Sequence, residues 1–254
     1  MSLRVALTAA EGAFTGLADE LADADVTLRV QPLLRFAEPE SWQSVDAALA
    51  ELGEFAALAV TSPRGDSALA GRIAMLRAKG AVHRIPWRMP PRLAVWTAGA
   101  ATAAALGDLV AHLHRPADGA VRILGAGAAL AEAMLAAGVR GPVLFVCGDR
   151  RRDELPMRLR VAGLEVHEAV CYRTVVADVT EARETAADAD VVVVASPSVA
   201  QLLGRCGALH RPPLIAIGPT TTSAAAAAGW PAAVTADAPT PAAVARAIRH
   251  FLPS

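Results

Sequence analysis

Two pairs of small polar residues stand at matched places along this chain of 254 residues. A Ser-Pro step closes an apolar run at Ser62-Pro63 and again at Ser196-Pro197, and a Gly-x-x-Thr step closes another at Gly99 to Thr102 and at Gly218 to Thr221, with Thr220 beside it. Glycine at the end of a buried strand permits dihedrals that a Cβ forbids and lets a ligand approach the backbone. Ser, or Thr102 or Thr221, can cap the helix that follows. The first amides of such a helix are unpaired donors with partial positive charge, a setting for carboxylate or phosphate. Ordinary helix starts have the same appearance; the recurrence of both steps argues for a site.

Other groups add to this set. Tyr172 is the only tyrosine, and a phenol can donate a proton to a leaving hydroxyl or simply fill space beside the chain. Arg150, Arg151 and Arg152 follow an apolar run and can grip carboxylates in a fork or stand as solvated charge, while Asp149 or Asp153 can cap the next helix. Ser62 and Ser196 lack a nucleophile elbow or a His-Asp pairing and read as caps. The Gly125-x-Gly127 step lacks the rest of a dinucleotide fingerprint and reads as a turn; a nucleotide-dependent enzyme using it is the weakest reading. Of six histidines only His112 and His114 cluster, without an acidic partner, so no metal is expected.

These residues need strand ends to hold them. Short apolar runs without a polar face alternate with helical stretches, which predicts parallel sheets covered on both sides. The runs near 3–8, 57–61, 93–96, 121–124, 143–147, 191–194, 214–217 and 233–235 read as strands. Helices are expected near 13–24, 44–52, 67–78, 102–109, 130–137, 154–162 and 241–251, with irregular chain over the Pro-rich residues 82–92. The serines lie 134 positions apart and the glycines 119, as in a duplication with a longer first copy. Residues 27–37 and 167–176 read as extended connectors lying side by side. The chain then leaves a first domain, builds a second and returns. The domains are 1–35 plus 174–254, which is discontinuous, and 36–173, with a hinged cleft between them faced by the matching turns.

Composition bounds the rest. Hydrophobic residues make up 54%, much of it Ala, and Lys79 is the single lysine, as a GC-rich genome would produce. A formal net charge of −1 lacks the electrostatic signature of a nucleic-acid binder. Cys147, Cys171 and Cys206 are too scattered for a disulfide framework or a zinc site. The uncharged stretch 214–236 is broken by Gly and Pro and reads as strand, turn and helix rather than a membrane span. With no secretory start, the expected location is cytoplasmic, without membrane or nucleic-acid partners.

The order and spacing of these pieces resemble the uroporphyrinogen-III synthase family across nearly the whole chain. The matching residues are Thr61-Ser62-Pro63, Gly99-Ala100-Ala101-Thr102-Ala103, Val143 through Arg152 to Gly163-Leu164-Glu165-Val166, Cys171-Tyr172-Arg173-Thr174, Ala195-Ser196-Pro197-Ser198 and Ile217-Gly218-Pro219-Thr220-Thr221. The resemblance implies an α/β protein of two flavodoxin-like parallel-sheet domains joined by a two-stranded linker, and a monomer. It implies a lyase without cofactor. Hydroxymethylbilane loses water, the azafulvene cation is attacked by the substituted carbon of ring D, and a spiro intermediate fragments and recloses with that ring inverted. The resemblance makes Tyr172 the helper of hydroxyl departure. Ser62, Gly99, Thr102, Arg152, Ser196, Gly218, Thr220 and Thr221 become substrate contacts. Many relatives carry Arg after the first strand, where this chain has Thr8-Ala9-Ala10-Glu11, and many have more polar linkers. A non-catalytic homologue that binds a tetrapyrrole or other polyanion as a sensor is the alternative; the chain's end soon after its last helix, with no DNA-binding appendage, favours the enzyme.

Overall fold

The computed structural model describes residues 2–80, 93–98, 102, 121–124 and 127–252. It divides into two compact units, one of Met1–Phe36 with Val175–Ser254 and one of Ala37–Thr174. The Pro-rich stretch 82–92, Gly99, Gly125 and the expected helix beyond Thr102 lie outside the described residues.

The first unit holds a five-stranded sheet in the order β11-β10-β9-β1-β2. Its strands are β1 (Leu3–Leu7), β2 (Val26–Val30), β9 (Val191–Val194), β10 (Leu214–Ala216) and β11 (Val234–Thr235). Every neighbouring pair is parallel. The four valines of β9 show why polar alternation is absent. Val191 and Val193 pack with Leu7, Ile215 and Ile248 on one face, while Val192 and Val194 pack with Leu202, Leu203 and Trp230 on the other. Helices α1 (Leu17–Glu20), α6 (Val179–Ala187), α7 (Pro197–Arg205), α8 (Pro219–Ala227) and α9 (Pro241–Arg249) belong to this unit.

The second unit holds the order β3-β8-β7-β4-β5-β6. Its strands are β3 (Leu34–Ala37), β4 (Ala57–Val60), β5 (Ala94–Ala98), β6 (Val121–Leu124), β7 (Val143–Gly148) and β8 (Val166–Val176). The pairs from β8 to β6 are parallel. Helices α2 (Gln43–Ala50), α3 (Pro63–Ala78), α4 (Ala128–Ala136) and α5 (Glu154–Val161) accompany it. Here too one face, with Leu58, Val60, Leu144 and Val146, and the other, with Ala57, Ala59, Trp96 and Phe145, are both buried.

Apart from β3, each sheet has the order 2-1-3-4-5 of flavodoxin-like folds, with β1 or β7 as its first strand. The five-stranded unit joins the opening strands of the first sequence copy to the closing strands of the second; the other unit joins the remainder. Arg4 and Asp190 mark that junction. The Arg4 amide and guanidinium both donate to the Asp190 carboxylate, between β1 and the start of β9.

Several local expectations change. The 27–37 stretch is not one extended piece: β2 pairs with β1, and Pro32, which has no amide to donate, separates it from β3. The start of β8 is likewise a full sheet strand on β7, with Val166, Ala169 and Cys171 buried. The chain crosses between units inside β3 and inside β8. Helix α3 begins at Pro63 rather than near 67, because Ser62 caps it and Pro63 takes the first helical position. Helix α1 covers only Leu17–Glu20, after a segment with positive φ at Gly12, Phe14 and Gly16. Helix α6, capped by Asp178, has no counterpart in the sequence reading.

Candidate active site

In the second unit the direction of chain progression reverses between β4 and β7, the place where open α/β sheets receive ligands beyond their strand ends. Ser62 follows β4 there. Its extended backbone (φ −144°, ψ 143°) points Oγ back at the helix, where it accepts the Gly65 amide at 3.1 Å. The same Oγ lies 3.2 Å from the hydroxyl oxygen of Tyr172. Tyr172 belongs to β8, two strands from β4, with β7 between them.

The end of β7 makes room for that reach. A Cβ at Gly148 would stand 2.5 Å from Cε2 and Cζ of Tyr172 and 2.9 Å from its hydroxyl oxygen. The β7–β8 register slips at this point, so that Cys147 faces Val170 but Gly148 faces Tyr172. Asp149 fastens the bend. Its amide donates to the Tyr172 carbonyl at 3.0 Å, and its Oδ1 accepts the Thr174 amide at 2.8 Å.

Arg151 and Arg160 are already paired. Glu168 on β8 accepts from Arg151 and, at 2.8 Å, from Arg160. Burial works to raise its pKa, but the two arginines outweigh that and hold the carboxyl below its usual range. The thiols of Cys147 and Cys171 are pushed up to about 12, mainly by burial and, for Cys147, by the Glu168 carboxylate as well. Neutral buried thiols are poor nucleophiles.

In the first unit the reversal falls between β1 and β9. Thr8, just past β1, is buried and donates its hydroxyl to the Val193 carbonyl at 2.8 Å. Ser196 follows β9 and caps α7, accepting the Val199 amide at 3.3 Å. On the next strand Gly218 precedes α8, and no side chain caps that helix. The Gly218 carbonyl accepts the amides of Thr221 and Thr222, at 3.1 and 3.0 Å. The Thr222 hydroxyl reaches the same carbonyl at 3.2 Å and Thr235 Oγ1 at 2.7 Å.

The residues singled out from sequence therefore separate. Ser62, Thr102, Arg152 and Tyr172 lie in one unit; Ser196, Gly218, Thr220 and Thr221 lie in the other. Thr102 is helical and buried, and Gly99 lies outside the described residues. Arg152 and Thr220 are exposed.

Three expectations need correction. Gly218 has φ 173°, extended backbone open to any residue, and no atom of the described residues stands within 4 Å of a Cβ placed there. What this glycine leaves is open space above a helix start. Thr221 lies inside α8, mostly buried, and does not cap it. Neither Asp149 nor Asp153 caps α5 through its side chain, since Asp149 bonds Thr174 and Asp153 pairs with Arg151 at 3.5 Å.

Sequence reasoning missed Gly148, Thr222 and the bracing role of Asp149. A glycine closing an otherwise large-residue strand, as in Phe145-Val146-Cys147-Gly148, is the usual sign of a close approach and could have revealed the first. The pairing of Thr222 with Thr235 carries no such signal.

The family model described as Uroporphyrinogen-III synthase HemD matches residues 16–246. The fold is similar to a mutant uroporphyrinogen III synthase from the extremely thermophilic bacterium Thermus thermophilus, with TM-score 0.62 and 15% identity over 98% of each chain. It is also similar to uroporphyrinogen-III synthetase from Helicobacter pylori, with TM-score 0.61 and 16% identity over 98% of this chain and 100% of that one. With the family model covering residues 16–246, most of both units, the chain belongs to the uroporphyrinogen-III synthase family, cyclising lyases of tetrapyrrole biosynthesis that act on hydroxymethylbilane.

Proposed function

We propose that Tyr172 is the acid that assists departure of the hydroxyl from hydroxymethylbilane, and that residues just past the strand ends contact the substrate. The observation that carries this reading is the phenol of Tyr172, half-buried at the reversal point and hydrogen-bonded to the cap Ser62. Ser62 Oγ already accepts Gly65 N–H, so its own O–H is available to donate toward the phenol oxygen. A Ser62 hydroxyl donated to the phenol oxygen supports a phenolate once the proton has gone.

The step balances without a cofactor. The C–O bond of the hydroxymethyl group breaks, and the phenol proton leaves with the oxygen as water. An azafulvene cation and a phenolate remain. The substituted carbon of ring D attacks the cation, the spiro intermediate fragments, and the ring recloses inverted. The proton lost as the last pyrrole regains aromaticity returns to the phenolate. Most of the acceleration toward this isomer is geometric, since hydroxymethylbilane closes unaided to the uninverted product and the protein must hold the alternative carbon near the cation.

The substrate's eight carboxylates need donors. The start of α8 is the best supported, because no side chain caps it, Gly218 leaves space over it, and Thr220 is exposed beside it. The starts of α3 and α7 have their serine caps in place and offer hydroxyls instead. Exposed Arg152, with Gly99 and Thr102, completes the proposed contacts. The binding-only alternative is not favoured. We read the chain as a cytoplasmic monomer without nucleic-acid or membrane partners. Three buried free thiols fit a reducing compartment, and no helix among the described residues is long and apolar enough to cross a membrane.

Freshly prepared hydroxymethylbilane, with chromatographic separation of the type I and type III products, tests the reading. An excess of type III over the uncatalysed mixture is the expected result. A product ratio identical to the protein-free control would overturn it.

A further inference from the structure

We infer that Gly148 is a positioning residue for this reaction: by having no side chain, it lets the Tyr172 ring cross the end of β7 and thereby sets where the phenol oxygen stands. The inference rests on the reading of Tyr172 as the acid.

Two independent features of the sheet lead to it. The first is distance. Strands in a sheet lie about 4.8 Å apart, so β8 and β4 are separated by roughly 10 Å with β7 between them. A hydrogen bond from Tyr172 to Ser62 must pass over whatever β7 presents at its end, which is Gly148. Any Cβ there would overlap the ring at Cε2 and Cζ.

The second feature is register. From Val143–Val166 to Cys147–Val170 the two strands pair one to one, and a regular ladder would set Cys171 opposite Gly148. The slip brings Tyr172 there instead. Successive strand residues point to opposite faces, so an added residue re-aims a side chain, a known use of bulges beside active sites. The slip delivers the ring to the strand end, and the glycine makes space for it. Asp149 holds the slipped geometry through the Tyr172 carbonyl and the Thr174 amide.

Tyr172 is the only tyrosine, so ring-labelled tyrosine reports this one side chain in an NMR spectrum. In the parent protein, ring current should displace a Gly148 Hα signal from its random-coil position, with cross-relaxation to the Tyr172 ring. Gly148→Ala should shift the tyrosine signals and slow type III formation about 100-fold, the scale of a misplacement on the order of 1 Å, with KM changed by less than about threefold. In a Tyr172→Phe background the same alanine should cost less than about twofold, because no phenol oxygen remains to misplace. No ring contact at Gly148 in the parent overturns the inference, even if the alanine variant fails to fold. An equal cost of Gly148→Ala in both backgrounds overturns it too, since the glycine would then act through the fold. With Tyr172→Phe slow, either result removes only the part assigned to Gly148. Tyr172→Phe as fast as the parent overturns the reading of the phenol itself, and this inference with it.

Discussion

The hydroxyl oxygen of Tyr172 stands 3.2 Å from Ser62 Oγ, although 110 positions separate the two residues and the strand between them contains neither. The contact joins the first sequence copy, which supplies Ser62, to the second, which supplies Tyr172. Removing the phenol oxygen while keeping the ring isolates its chemistry. Tyr172→Phe should lower kcat for type III formation about 100-fold, within the usual range for a lost general acid, with little change in KM. Stopped-time assays with isomer separation check this; an unchanged kcat rejects the role.

Ser62 has two tasks, and two substitutions separate them. Ser62→Ala loses the cap on α3, at about 1 kcal/mol, and also loses the partner of the phenol. Ser62→Thr keeps an oxygen for both. The alanine variant should melt lower and react more slowly, and the threonine variant should recover both. If threonine recovers stability but alanine and threonine turn over alike, the serine serves only the helix.

Gly218 offers the converse case, a site residue with little structural burden. Its backbone is extended and the space around it is open, so Gly218→Val should leave the melting temperature close to the parent's. A side chain over the start of α8 should obstruct a carboxylate there and raise KM about tenfold, the scale of one lost charge-assisted hydrogen bond. An unaltered KM would show that the start of α8 does not meet substrate.

Gly204 tests packing away from the site. It lies on α7 where α8 ends, and a Cβ there would stand 2.5 Å from Ala228 Cβ and overlap the Ala228 carbonyl oxygen. A backbone obstacle cannot swing aside, so Gly204→Ala should destabilise the five-stranded unit by about 2 kcal/mol. Urea unfolding measures this, and a midpoint equal to the parent's refutes the close approach.

Acid should act on the Arg4–Asp190 junction. The Arg4 side-chain hydrogen bonds first, and its amide second, hold the Asp190 carboxyl at about 2, against about 3.9 for a free aspartate. A depressed carboxylate pKa contributes stability that is fully present above the unfolded value and is lost as pH falls through the folded one. The window is therefore from about pH 4 down to about pH 2. Because both side chains are well exposed, the effect is small and screened by salt. Asp190→Asn should flatten this part of the curve of urea midpoint against pH, and an identical acid slope in parent and variant would exclude the contribution.

Much of this protein was legible in the chain because local rules suffice for it. Four consecutive buried valines, and apolar runs like them, cannot face water on either side, so two covered parallel sheets follow from sequence alone. Ser-Pro after a strand specifies a capped helix start, and both copies form one. The recurrence pointed to a duplication, and the ordered motifs to the family that the family model matches. Tertiary structure decided what depends on neighbours distant in sequence. It alone showed that Gly148 lies under Tyr172, that the 27–30 stretch pairs with β1, and that Thr222 rather than Thr221 bonds both Gly218 and Thr235. A residue's own type states which conformations and bonds it can make. Which atom occupies the space opposite it is determined by strand order and register, and a slip of one residue between β7 and β8 changes that partner without changing any letter of the sequence.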